Sequence, residues 1–284
     1  MNRFEIPRRF EAAYRRAIIL LLAREISLNF NSVDEWLTQM TSLSGDSEFV
    51  TESRRIAVAM VRDIGIYNST NWKSLAREVS GGSRFIPQLH ILNENTQKVM
   101  ESEIDRITLT ISTIPQRLSK RLTDIVANAR SLGNSEQEIF FSIRNKYAPL
   151  LIQRVGLLTQ TDPHKINSKI TESRSKDFDL PCFIWSTSKD EVVRTPHQKM
   201  DGVLVFWNHL PIPEHIVGAF AYFGRYAPGG CPNCRCSAIP VTSIDELFTS
   251  IRSRVKVYWY DSIRSVTKLQ FMRLIAQEAY ATVN

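Results

Sequence analysis

A chain of 284 residues with 43% hydrophobic and 23% charged residues has the material for a real folded core, which excludes a disordered or low-complexity protein. Its formal net charge of +7 favours contact with a polyanion but lacks the dense basic stripe of a dedicated DNA-binding protein. No apolar run is long enough to span a bilayer, since Ala17 to Ala23 is short and flanked by arginines. The N-terminus also shows no signal-peptide cleavage pattern. The expectation is a protein made in the cytoplasm with no membrane partner, whose four cysteines are free thiols or metal ligands.

The first 175 residues read as mostly helical. Pro7 to Phe30 carries Phe10, Ala13, Tyr14, Ala17, Ile18, Leu21 and Leu22 at helical spacing, with Arg8, Arg9, Arg15 and Arg16 mainly off that stripe. Glu48 to Tyr67 repeats the pattern through Val50, Arg54, Ala57, Val58, Val61 and Ile64, and Gly81, Gly82 and Pro87 signal a loop after it. From Asn93 to Arg130, Val99, Ile104, Ile107, Ile111 and Ile114 line one side. Pro115 interrupts, and Leu118, Leu122, Ile125, Val126 and Ala129 continue the face. Gly133 reads as a C-cap, and Ser135 with Glu138 as a capping box. The helix it opens reaches towards Pro149 through Ile139, Phe140, Ile143 and Tyr147, with a further helix over Leu150 to Gln160.

Composition changes near Ser173. From Phe183 to Val241 the chain is rich in Trp, Phe, Pro and Gly, with short apolar runs such as Val203 to Trp207, which suggests short strands and turns. Ser243 to Ala281 returns to helix, with a cap signal at Ser243 and Glu246. The run Val255 to Tyr260 breaks it into helix, strand and second helix. The fold class is therefore α+β, mainly α. The division is a helical region 1–92, a second helical region 93–175, a cysteine-rich module 176–242 and a C-terminal helical tail 243–284.

Cys231-Pro232-Asn233-Cys234-Arg235-Cys236 is the most informative stretch. Thiolates are soft ligands suited to Zn²⁺, and a closed structural site needs four ligands of the Cys/His type. The nearest candidates for the fourth are His197, Cys182, His209 and His215. Pro228, Gly229 and Gly230 favour a tight loop ahead of the cluster. Upstream, Asp190, Arg194 and His197 form a second polar group, readable as a base with its orienter or as a salt-bridged turn. No nucleophile motif such as G-x-S-x-G accompanies it, and the chain reads as a non-enzyme.

Trp185, Thr187, Asp190, Val193, Arg194, His197 and Gly202, then Pro228-Gly229, then Asn233, Cys234, Arg235, Cys236, Ala238, Pro240 and Val241 form one spaced pattern. It resembles the phage Mu F-like minor head protein family over about Asn128 to Val241. Ser131 to Ser135 looks like that family's turn between two helices, and Thr159-Gln160-Thr161-Asp162 lies where members often carry A-R-T-E. The first 120 residues and the C-terminal tail lie outside the resemblance.

The resemblance implies a structural virion component acting in head morphogenesis, and in DNA packaging or ejection. It would sit inside the head near the portal after assembly in the host cytoplasm. Its implied partners are the portal protein, the major capsid or scaffolding protein, and packaged DNA without sequence preference. Relatives with His and Cys exchanged at these positions imply one structural Zn²⁺ on His197, Cys231, Cys234 and Cys236. Trp185, Asp190, Arg194, Gly202 and Arg235 are then its structural companions. Candidate docking surfaces are the basic face of the first helix, the segment with Arg252, Arg254 and Lys256, and the run Tyr258, Trp259 and Tyr260. Two alternatives are a zinc-dependent hydrolase or nuclease with Asp190 as base, and a DNA-binding assembly factor absent from the mature virion.

Overall fold

The computed structural model describes residues 4–79, 82–89, 93–248 and 253–281. Gly81 and Arg252 lie outside them. The fold is α+β and mainly α. The helices are α1 (Arg8–Glu25), α2 (Val33–Leu43), α3 (Ser47–Glu78), α4 (Ile86–Leu89), α5 (Glu94–Ser112), α6 (Ile114–Ser131), α7 (Glu136–Asp177), α8 (Thr195–Met200), α9 (Ile244–Leu247) and α10 (Lys268–Ala281). The strands are β1 (Cys182–Ser186), β2 (Leu204–Phe206), β3 (Ser237–Pro240), β4 (Arg254–Trp259) and β5 (Ser262–Thr267). Among the described residues no helix is long and apolar enough to cross a membrane.

The chain forms two compact units, one from 7–63 and 101–162, the other from the described parts of 1–6, 64–100 and 163–284. The linear division at 92, 175 and 242 is therefore corrected. Helices α3, α5 and α7 each run from one unit into the other, so the boundaries fall within continuous helices that carry no linker signal. The composition change near Ser173 marks the end of a helix and not the edge of a unit.

In the all-helical unit, α1 buries Tyr14, Ile18, Leu21 and Leu22 and stops at Glu25, short of Phe30, where Ile26 turns extended. Ala13, expected on the stripe, is exposed. Helix α2 went unpredicted, although Ser32 caps it by accepting the Glu35 N–H at 3.4 Å and Val33, Trp36, Leu37 and Met40 give it a buried face. Pro115, expected to end or kink the preceding helix, falls in the first turn of α6, where its missing N–H has no helical acceptor to lose. The capping box at Ser135 forms in both directions, Glu138 Oε2 accepting the Ser135 N–H at 2.8 Å and Ser135 Oγ accepting that of Glu138 at 3.3 Å.

The break expected at Pro149 does not occur, because α7 is continuous from Glu136 to Asp177. Ile139, Ile143, Tyr147, Leu151 and Val155 recur every four residues across it and are all buried. Burial of such side chains stabilises by about 1.5–3 kcal/mol each, against a cost of about 3 kcal/mol for one interior proline. Packing wins over local propensity.

In the second unit the sheet has the order β3-β1-β2-β4-β5. β1 pairs antiparallel with both β2 and β3, β2 runs parallel to β4 with Leu204 opposite Val257, and β4 and β5 form a hairpin from Arg254↔Thr267 to Trp259↔Ser262. Its turn residues Tyr260 and Asp261 both adopt positive φ, at 45° and 55°. The segment 243–284 is thus no separate tail, since its hairpin extends the sheet. The expected strand over Val255 to Tyr260 is present, together with a second strand whose sequence is polar enough to hide it.

Strand alternation sorts side chains to two faces. Phe183, Trp185, Val205 and Tyr258 join a core with the clustered cysteines. Cys182, Leu204, Phe206, Val257 and Trp259 join another core with Phe271 of α10.

Candidate metal centre

The cysteine loop is shaped by two backbone requirements. Cys231 to Cys234 is a turn closed by the Cys234 N–H donating to the Cys231 carbonyl at 3.1 Å. Pro232 supplies its fixed φ and Asn233 takes φ +57°, a left-handed value that Asn tolerates. Gly229 has φ +81°, and a Cβ there would lie 2.8 Å from backbone atoms of His164, so only glycine fits. The Gly229 N–H donates to Cys234 Sγ at 3.3 Å. Cys236 stands just ahead of β3. His197 comes from α8, which opens at Arg194 with Pro196 in its first turn.

Cys231, Cys234, Cys236 and His197 are 0%, 4%, 3% and 3% exposed. His197 Nδ1 lies 3.6 Å from Cys234 Sγ and 3.5 Å from Cys236 Sγ. These three ligand atoms fall within 4.8 Å of one another and can hold a metal ion. A tetrahedral Zn²⁺ bound at about 2.05 Å to nitrogen and 2.3 Å to sulfur separates such ligands by about 3.6 Å. The observed spacing matches, so the donor set fits the ion by distance as well as by softness. Cys231 Sγ lies 3.8 Å from Nε2 and hydrogen-bonds Cys234.

Electrostatics follow from that crowding. Burial alone lowers the His197 pKa, but hydrogen bonds and charge from Cys231 and Cys234 outweigh it and hold the imidazole at about 9. Cys231 is held above the ordinary thiol range, first by its hydrogen bond with Cys234 and then by burial. A dication reverses this balance by favouring thiolates outright.

Of the companion residues expected from sequence, Trp185 and Arg194 contact the centre, and Gly202, Asp190 and Arg235 bond its neighbours. The Trp185 ring packs edge-on to His197 with centroids 5.6 Å apart, and the Gly202 N–H donates to the Trp185 carbonyl at 2.8 Å with φ +75°. Arg194 donates to the Pro232 carbonyl at 2.9 Å and to Cys231 Sγ at 3.5 Å. Asp190, the carboxylate considered as a base, pairs with Arg235 through Oδ2 at 2.6 Å. Thr187 donates from N–H and hydroxyl to Asp201 at 2.9 and 3.0 Å, closing the β1–α8 connection.

The other fourth-ligand candidates sit elsewhere. Cys182 is one position out of phase on β1 and points into the opposite core, where burial pushes its thiol up to about 12. His209 bonds Glu278, and His215 lies 3.7 Å from Asp261. Sequence reasoning missed Tyr226 and Glu214. The Tyr226 hydroxyl lies 3.0 Å from His197 Nε2 and donates to Glu214 Oε1 at 2.7 Å. Neither belongs to a spaced motif, so only the tertiary structure reveals them.

Of the proposed docking surfaces, Tyr258 and Trp259 are buried and only Tyr260 is exposed. Arg254 donates to Ser265 across the hairpin, and Arg15 to Thr159 within the helical unit.

No protein-family profile matches the chain, and no solved structure does. The chain is similar to an uncharacterized protein of Haemophilus influenzae, 26% identical over 152 residues. That stretch is 53% of this chain and 31% of the relative, so the chain spans under a third of that protein's length.

Proposed function

We propose that this chain is a minor head protein of a tailed bacteriophage, of the Mu F-like kind. On this reading its cysteine-rich module is held by one structural Zn²⁺ on His197, Cys231, Cys234 and Cys236. One observation supports it: of the motif on which the resemblance rests, His197, Cys234 and Cys236 share one buried centre, Trp185 and Arg194 contact it, and Asp190, Gly202 and Arg235 bond its neighbours. A motif spread over residues 185–236 and tied by one set of contacts behaves as a folding unit. Its thiol-rich, buried ligand set is suited to holding shape, because catalytic zinc needs a position open to substrate.

The role is then carried by surfaces. The portal, the major capsid or scaffolding protein, and packaged DNA bound without sequence preference are the partners. The head interior near the portal is the place, reached after assembly in the host cytoplasm. The excess of positive charge suits a site beside packaged DNA.

Quantitative mass spectrometry of purified particles, comparing full heads with heads emptied of DNA, tests this. Presence at low, fixed copy number per head supports the reading, and loss on emptying adds ejection with the DNA. Absence from particles overturns it in favour of a DNA-binding assembly factor or a zinc-dependent hydrolase of the infected cell.

A further inference from the structure

On the face of the sheet away from the cysteines, the end of the β4–β5 hairpin and α10 flank a cavity of about 600 Å³, within the range of small-ligand sites. Glu278 of α10, 5% exposed, accepts a hydrogen bond from His209 Nδ1. That bond fixes the tautomer and leaves Nε2 as the ring nitrogen that can address a ligand. The imidazole packs against Trp259 and Tyr260, with centroids 5.3 and 5.6 Å apart. Tyr260 is 68% exposed. Arg264 shares the face of Trp259, because Val257 pairs with Arg264 and Trp259 with Ser262. Gln277 also lines the cavity.

These groups make distinct demands. The Arg264 guanidinium suits an anionic oxygen group, and the His209 Nε2 lone pair suits a donor such as a ring amino group. The exposed Tyr260 ring suits a flat ring. A carboxamide, donor and acceptor together, suits a ring with a polar edge. Inorganic phosphate leaves the Tyr260 ring unused, and an apolar ring leaves Arg264 and Gln277 unused.

We infer that this cavity binds a nucleotide unit, its base on Tyr260 and its phosphate on Arg264. The unit is either a free mononucleotide or an unstacked nucleotide of a single strand. The inference is independent of the metal centre, which lies on the opposite face.

Isothermal titration of the full chain with AMP, adenosine, inorganic phosphate and a ten-residue oligo-dA tests it. AMP is expected to bind about tenfold more tightly than adenosine or phosphate, and loss of the stacking ring to cost about tenfold. The ring is removed by Tyr260→Asn, because Asn tolerates the positive φ of that turn position and so spares the hairpin. Arg264→Gln is expected to bring AMP down to the affinity of adenosine. Oligo-dA bound far more tightly than AMP, with steep salt dependence, identifies a strand site, and equal binding per nucleotide identifies a free-nucleotide site. Failure of both AMP and oligo-dA to bind, binding untouched by both variants, or phosphate binding as tightly as AMP overturns the inference.

Discussion

The Tyr226 hydroxyl lies 3.0 Å from His197 Nε2 and donates its own hydrogen bond to Glu214 Oε1 at 2.7 Å. On the proposed zinc reading the ion would take the place of the Nδ1 proton facing Cys234 and Cys236, and the Tyr226 hydroxyl would accept the proton kept on Nε2. Outer partners of this kind set a ligand's orientation and basicity. On the proposed zinc reading, Tyr226→Phe and Glu214→Gln each lower zinc affinity by about 10–100-fold. Competition against a chromophoric chelator measures the loss, and nitrogen chemical shifts of His197 report the bound atom. Unchanged affinity in both variants would show that the chain of hydrogen bonds is incidental.

Zinc content separates ligands from neighbours. The purified protein is expected to carry about one zinc per chain, lost in His197→Ala and Cys236→Ser, with the melting temperature falling as chelator is added. Cys231→Ser decides between two roles. Complete loss makes Cys231 the fourth ligand, whereas a drop of about 10–100-fold makes it an outer partner. Cys182→Ser should keep full zinc while losing about 1–3 kcal/mol of stability, the cost of a hydroxyl in an apolar site. Zinc loss in that variant would refute the assignment of Cys182 to the other face.

Asp190 and Arg235 tie the β1–α8 connection to the cysteine loop, with side chains 32% and 23% exposed. Solvent screens part of such a pair, so a double-mutant cycle with alanine at each position should give a coupling of about 0.5–1 kcal/mol that shrinks at high salt. A coupling indistinguishable from zero at low salt contradicts a clamping role.

Pro149 is exposed within a continuous helix whose buried ladder holds it in place. Pro149→Ala should restore a helical hydrogen bond and raise stability by roughly 1–3 kcal/mol in denaturant unfolding. A loss of stability would mean that packing around α7 requires the proline's distortion.

Arg130 joins Asp34 at 2.9 Å and Glu136 at 2.8 Å. Hydrogen bonds from its guanidinium hold both carboxyls below their ordinary range, and both raise the arginine in turn. Folded pKa values below the unfolded ones mean stabilisation that is complete above about pH 4–5 and fades as acid carries the pH down through the folded values. Asp34→Asn should therefore lower the melting temperature slightly at pH 7 and not at pH 2. Equal destabilisation at both pH values excludes the ion pair as the cause.

Much of the fold was legible in sequence because its signals are local. The capping box at Ser135, the cap at Ser243, the break at Pro115 and the buried stripes of α1, α3 and α6 depend on residues within a turn or two. The metal-centre residues were legible for a chemical reason, since three thiols in six positions and a histidine with fixed companions suit few roles besides a soft metal. Tertiary structure decided the rest. Packing across Pro149 overrode a propensity that the sequence states correctly. The parity of a single strand sent Cys182 away from the other thiols. The division into units depended on where long helices find partners, which no linker announces. The Tyr226–Glu214 support of His197, and the meeting of His209 with Glu278, join residues far apart in the chain, and only folding brings such groups within hydrogen-bond range.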